Sequence, residues 1–404
     1  MLKPQPFAPG HLIDPATGTV ARNQTILIED GKITEVGANV KIPAGAEVVD
    51  LSDSWVLPGL MDAHTHLTLG YPPDPPPGFG IEAVYLKESS AFRALRGAWN
   101  ARLVLEAGFT VVKEIGNDAN YASTDLRRAI RKGWFAGPTI LTTGKIIAPF
   151  GGQSDDIAPE QGPFWQFEYI DADTPEEVRK AVRRNIYYGA DAIKLVADDT
   201  KGYYYSQEEI RAAVDEAHKA GITVAVHVMG GEAARNVILG GADSIEHGFE
   251  LSDELLELMV GKGTVLVGTD FPYEHLKAMR HSIPMDPKQV SEYINDRLRR
   301  AHRLGVKMAF GSDVVVEIPD QTRAEMMLDY LDVWLAAAIP PAKILKCMTT
   351  NAAELMQIED ERGAIRAGLE ADIIATPENP LENIQALRNV HFVMKDGKLI
   401  KHTK

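Results

Sequence analysis

The chain has 404 residues, of which 45% are hydrophobic and 25% charged, the composition of a soluble globular protein of one or two domains. A formal net charge of -15 argues against nucleic acid and anionic membranes as partners. The single cysteine, Cys347, excludes an intrachain disulfide and a cysteine-based zinc cluster, so any metal must be held by nitrogen and oxygen ligands. No apolar run approaches the roughly 20 residues of a membrane-spanning helix, and residues 1–10 lack a hydrophobic signal core, so the expected compartment is the cytoplasm.

In chain order, the first 50 residues read as short strands and turns: 25–29, the Asp30-Gly31 turn, 32–36, and 47–51. The last 40 repeat this texture, with strands at 371–375, 390–394 and 399–400. Two similar terminal strand sets predict one small β-sandwich domain built from both ends, residues 1–56 plus 365–404. Between them the pattern alternates strand and helix. Predicted strands lie at 56–66, 110–113, 139–142, 192–196, 223–227, 244–247, 264–267 and 307–311. Thr174-Pro175-Glu176-Glu177 and Ser206-Gln207-Glu208-Glu209 have the caps and first-turn acids of helix starts. Eight strand-helix units predict an α/β fold, a (β/α)8 TIM barrel over residues 57–364, with catalytic groups at the carboxyl ends of the strands. The alternative, an open doubly wound sheet, lacks a glycine-rich dinucleotide fingerprint after its first strand. Residues 145–173 and 269–288 are too long for plain turns and read as lids or pocket walls, and 71–79 is a proline-rich loop.

The apolar run 55–61 reads as a buried strand with a bend at Pro58-Gly59. It leads into Asp62-Ala63-His64-Thr65-His66, where strand alternation turns His64 and His66 to one side, able to grip one metal ion. Three further strand ends carry His227, His247 and Asp313, and the fourth strand carries Lys194. Alone, each histidine would more often be structural, and Asp313 a cap or turn residue. Four histidines and an aspartate at barrel strand ends together call for a metal. The other seven of the eleven histidines fall on helices, loops or terminal strands, where solvated roles are expected; His275 is kept as a pocket candidate. Lys194 interrupts an apolar strand, where an ammonium is costly to bury. Reaction of its amine with carbon dioxide would give an anionic carbamate able to bridge two cations; pairing with Asp198 or snorkelling outward is the alternative.

With these residues in view the chain resembles the amidohydrolase superfamily, in the imidazolonepropionase-related branch of metal-dependent prolidases, dipeptidases and amide-toxin hydrolases. The resemblance runs through residues 57–66, Ala192-Ile193-Lys194, Val226-His227, residues 244–248, Gly311-Ser312-Asp313, residues 350–355, 363–372 and 393–397. It implies that His64, His66 and Asp313 bind a buried metal, His227 and His247 a more exposed one, and carboxylated Lys194 bridges both. The implied cofactors are two divalent ions, zinc by ligand type, with manganese or cobalt also fitting. The implied reaction is cleavage of a carboxamide by a metal-bridging hydroxide, with Asp313 as general base and then acid.

Two departures bear on substrate. The position two residues after His227, often His or Tyr in relatives, is Met229, and a Gly-Gly-His of the third connection is here Gly151-Gly152-Gln153. Candidate substrate contacts are therefore Gln153, Tyr203, Met229, Tyr273 and His275, with Tyr204 or Tyr205 as other sources of a hydrogen-bond donor. The leading expectation is a binuclear dipeptidase- or prolidase-like hydrolase of a peptide or N-acyl amino acid. Alternatives are an ester or lactone hydrolase on the same site, and a non-catalytic ligand-binding barrel. The expected partner is a small-molecule substrate, and the family's large barrels often form homo-oligomers.

Overall fold

A computed structural model describes residues 5–46, 48–71, 82–154, 158–198, 202–279 and 286–403. His281, and all of the 71–79 loop except Tyr71, lie outside the described residues. The fold is α/β, with two parallel sheets and helices between their strands. One three-stranded sheet runs Leu60–Thr65, Phe109–Glu114, Thr139–Thr142. A six-stranded sheet orders Tyr169–Asp171, Ile146–Ala148, Ala192–Val196, Thr223–Gly230, Ser244–Glu250 and Val265–Val267. The strands Ala192–Val196 and Thr223–Gly230 are apolar runs interrupted by Lys194 and His227, as expected when both faces are covered.

The expected strand at 307–311 forms only an isolated bridge, Met308 to Leu266. Its backbone still bonds on both sides. Leu266 N–H donates to Lys307 O, Ala309 N–H to Leu266 O, and Ala63 N–H to Phe310 O. The segment thus joins the two sheets where Asp313 follows. The connection 145–173 holds two short strands, Ile146–Ala148 and Tyr169–Asp171, which extend the six-stranded sheet.

Both chain ends meet in one eight-stranded sheet with its own core, including Phe7, Ile26, Ile28, Leu51, Val56, Ile373 and Phe392. Its strand Val49–Pro58 pairs with Gln5–Asp14 in parallel and with Ile373–Thr376 antiparallel. The apolar run 55–61 is therefore two strands, one in each module. Pro58 has no N–H to continue the ladder, while Gly59 N–H donates to Asp372 O and a Cβ at Gly59 would come within 2.2 Å of Thr110. The chain bends at Gly59 and passes from the terminal sheet straight into His64 and His66.

Both foreseen helix starts are present. Thr174 accepts from Glu177 N–H ahead of the helix Pro175–Tyr187, and Ser206 and Glu209 form a reciprocal capping box for Gln207–Lys219. These helices pack against each other and over the sheet, which holds the strands bearing Lys194 and His227 in place.

Candidate metal centre

His64, His66, Lys194, His227, His247 and Asp313 are all buried. His64, Lys194, His227 and His247 lie within the strands Leu60–Thr65, Ala192–Val196, Thr223–Gly230 and Ser244–Glu250, while His66 and Asp313 follow strand-like segments. Ring centroids step from His66 to His64 at 5.3 Å, from His64 to His247 at 5.2 Å, and from His247 to His227 at 4.4 Å. Asp313 lies among them: its Oδ1 is 3.1 Å from His66 Nε2 and 3.5 Å from His64 Nε2, and its Oδ2 is 3.7 Å from His247 Nδ1. His64, His66 and Asp313 offer one ligand atom each, all within 4.8 Å of one another.

Hydrogen bonds decide which ring nitrogens face this centre. His66 Nδ1 is 2.8 Å from Gly116 O, and because a carbonyl only accepts, Nδ1 carries the proton and Nε2 is left as a ligand atom. His64 Nδ1 is 2.6 Å from Glu246 Oε2, the carboxylate–histidine pairing common behind metal ligands. Glu246 and His247 are consecutive, yet both reach His64. The left-handed backbone of His247, φ 68°, breaks strand alternation at that point. Asp313, φ 51°, and Thr269, φ 44°, share this uncommon conformation, so backbone strain clusters at the centre.

Burial and charge set the protonation states. Burial raises the Asp313 carboxyl, but His64 and His66 outweigh it and hold Asp313 well below the ordinary carboxylate range. Burial pushes the Lys194 ammonium down to about 8 against the opposing pull of Glu246 and Asp313, which brings its neutral amine within reach near neutrality. Burial, with Lys194 nearby, takes His227 down to about 3. Burial and His227 push His247 well below its usual value. Of the four histidines His64 alone is raised, burial being outweighed by Asp313 and Glu246; a nitrogen-rich pocket with a carboxylate and an activated lysine has the donor chemistry to take divalent cations.

Sequence reasoning did not single out several residues that shape this centre. Asp62 Oδ1 accepts from both His64 N–H at 2.9 Å and Ser312 N–H at 3.2 Å, tying the His64 strand to the Asp313 segment. Glu246, Thr269 and the Gly116 carbonyl each engage a histidine. Asp198, named from the sequence only as an alternative partner of Lys194, accepts from Met229 N–H through Oδ2, and its Oδ1 lies 3.8 Å from His227 Nε2. The signal available was the one that exposed Lys194: an ionisable residue inside an apolar strand, true also of Asp62 and Glu246.

Of the substrate candidates, Gln153 reaches the centre, its Nε2 3.3 Å from His227 Nε2 and its Oε1 3.5 Å from Tyr169 Oη. Met229 is half-buried at the end of the His227 strand. Tyr203 is exposed. Tyr273 and His275 line a separate hollow with Ile318, Gln321 and Asp329, and His275 packs edge-on against Tyr330. Tyr205, buried, donates its hydroxyl to Ala172 O.

A profile of the amidohydrolase family matches residues 55–400, spanning the strands of both parallel sheets, the histidine cluster and part of the terminal sheet. The chain belongs to the amidohydrolase family. This amidohydrolase is similar to ochratoxinase of Aspergillus niger, 28% identical over 96% of this chain and 85% of the relative. It is similar in structure to a Xaa-Pro dipeptidase with methionine bound in its active site: TM-score 0.84, 31% identity, 99% of this chain and 100% of that one. A prolidase complexed with N-methylphosphonate-L-proline superposes with TM-score 0.86 at 26% identity, over 99% of this chain and 100% of that one. Family membership makes the chain a hydrolase. Among its described residues no helix is long and apolar enough to cross a membrane.

Proposed function

We propose that this amidohydrolase cleaves the carboxamide of a dipeptide or N-acyl amino acid at a two-metal centre. The reading is carried by the convergence of His64, His66, His227, His247 and Asp313 in one buried cluster, with Lys194 buried and within reach of the Asp313 charge. His64, His66 and Asp313 would hold one cation, His227 and His247 a second, and carboxylated Lys194 would bridge them. Zinc suits the donor set. The similarity to a toxin hydrolase and to dipeptidases supports an amide substrate. The residue hydrogen bonds supporting closure of the two parallel sheets into one barrel are those of segment 307–313, and a separate apolar core supports a terminal β-sandwich domain of residues 1–56 plus 365–404.

When bound, the cations would supply water activation near neutrality and polarisation of the scissile carbonyl. The chain's own residues do the rest. Asp313, kept ionised by the histidines beside it, takes the proton of the attacking water and later delivers it to the leaving amine nitrogen. Gly116 O and Glu246 fix the His66 and His64 rings. Gln153, beside His227, presents an amide that can orient the substrate's polar end. Substrate is a small molecule from solution, and homo-oligomeric assembly in the cytoplasm completes the reading.

The deciding experiment is a screen of dipeptides and N-acyl amino acids with protein refolded in zinc and bicarbonate, alongside metal analysis. Amide hydrolysis with two ions per chain is expected. Metal content below one ion per chain would sink the two-metal reading.

A further inference from the structure

Thr269 follows the strand Val265–Val267, is fully buried, and has φ 44°, a conformation that is strained for a β-branched residue. Its hydroxyl lies 2.7 Å from His247 Nδ1. Both residues flanking Thr269 are held by one fully buried arginine from the helix Pro287–Leu304. Arg297 Nη2 donates to Gly268 O at 2.9 Å, and Nη1 lies 3.0 Å from Asp270 Oδ1. The guanidinium also lies 5.7 Å from the Phe249 ring centroid, two residues beyond His247. A Cβ at Gly268 would stand 2.2 Å from Arg297 Nη1, so a larger residue there would have to displace the guanidinium. A buried charge has thus been built against both neighbours of a single strained threonine.

We propose that Thr269 is a positioning residue for His247. Its hydroxyl engages Nδ1, which also lies 3.7 Å from Asp313 Oδ2, and fixes the plane of the ring that His247 presents to a cation, while Arg297 maintains the backbone from which the hydroxyl acts. The inference rests on the reading of His247 as a metal ligand.

The test compares Thr269→Val, which keeps shape and branching but lacks the hydroxyl, with Thr269→Ser, which keeps the hydroxyl. Zinc affinity and the ¹⁵N spectrum of the His247 ring are read on each folded protein. The valine variant should bind zinc roughly 10–100-fold more weakly, with altered His247 nitrogen shifts, and the serine variant should restore both. If valine does not fold, Thr269→Ala against Thr269→Ser asks the same question. Zinc binding and His247 shifts that are the same with and without the hydroxyl overturn the proposal. His247→Ala separates the two layers. Normal zinc binding in that variant overturns the ligand reading itself, whereas lost binding there beside normal binding in Thr269→Val overturns the positioning role alone.

Discussion

Glu246 Oε2 stands 2.6 Å from His64 Nδ1, while its other oxygen accepts from Ser244 Oγ at 2.6 Å. Both oxygens are therefore committed, and the carboxylate has little freedom to turn. Burial raises this carboxyl, yet Lys113 and His64 bring it down to about 2, so it is an anion at all working pH values. Glu246→Gln keeps the shape and removes the charge behind His64. Zinc affinity measured by competition with a chromophoric chelator should fall roughly 10–100-fold. An unchanged affinity would mean that the pair serves packing alone.

Asp313→Asn separates proton transfer from fold. Asparagine tolerates the left-handed backbone at φ 51°, so the folded structure should persist by circular dichroism. The amide cannot accept the proton of an attacking water. Turnover on the best amide substrate should drop roughly 10²–10⁴-fold. Retention of more than a tenth of the activity would remove Asp313 from the role of base.

Lys194→Ala removes the group read as the bridge. Activity should fall beyond the roughly 100-fold typical of residues that only support ligands. Acetate or propionate, added at high concentration, should recover part of it by standing in for the carbamate. Normal turnover in the alanine variant contradicts the bridging role.

Asp396 tests the terminal sheet at a distance from the chemistry. Burial raises its carboxyl, but Lys395 and Arg362, at 2.7 Å each, outweigh this and hold it below 3.8. A depressed carboxylate contributes stability above the unfolded value, and that contribution is lost as pH falls through the folded one. The side chain is 46% exposed, so the contribution is discounted to about 0.5 kcal/mol. Asp396→Asn suits the left-handed turn position, φ 51°. Urea unfolding should show the variant less stable at pH 6, with the difference closing towards pH 3. A pH-independent difference would assign the effect to something other than charge.

Much of the candidate centre was legible because strand ends are short and chemically distinct: four histidines and one aspartate at apolar strand termini are hard to mistake for surface residues. The strand at 139–142 and the caps at Thr174 and Ser206 were readable for the same local reason. What was not legible depends on distant partners. The strand Gln5–Asp14 is disguised by Pro6, Pro9 and Gly10, and its register shift between Pro9 and His11 is accommodated only beside the strand Val49–Pro58. Residues 307–311 have a strand's composition, yet they make too few ladder bonds to form one. Thr269 looks like a loop threonine until His247 and Arg297 are placed around it.

The Val49–Pro58 strand has a consequence for biosynthesis. It runs directly into the His64 motif, yet its antiparallel neighbour, Ile373–Thr376, is translated about 300 positions later. On the ribosome His64 and His66 emerge early, attached to a strand with one open edge. That edge closes, and the entry to the motif is anchored through Gly59 to Asp372, only after residue 376 has been made. Assembly of the centre is therefore a late event in the life of the nascent chain.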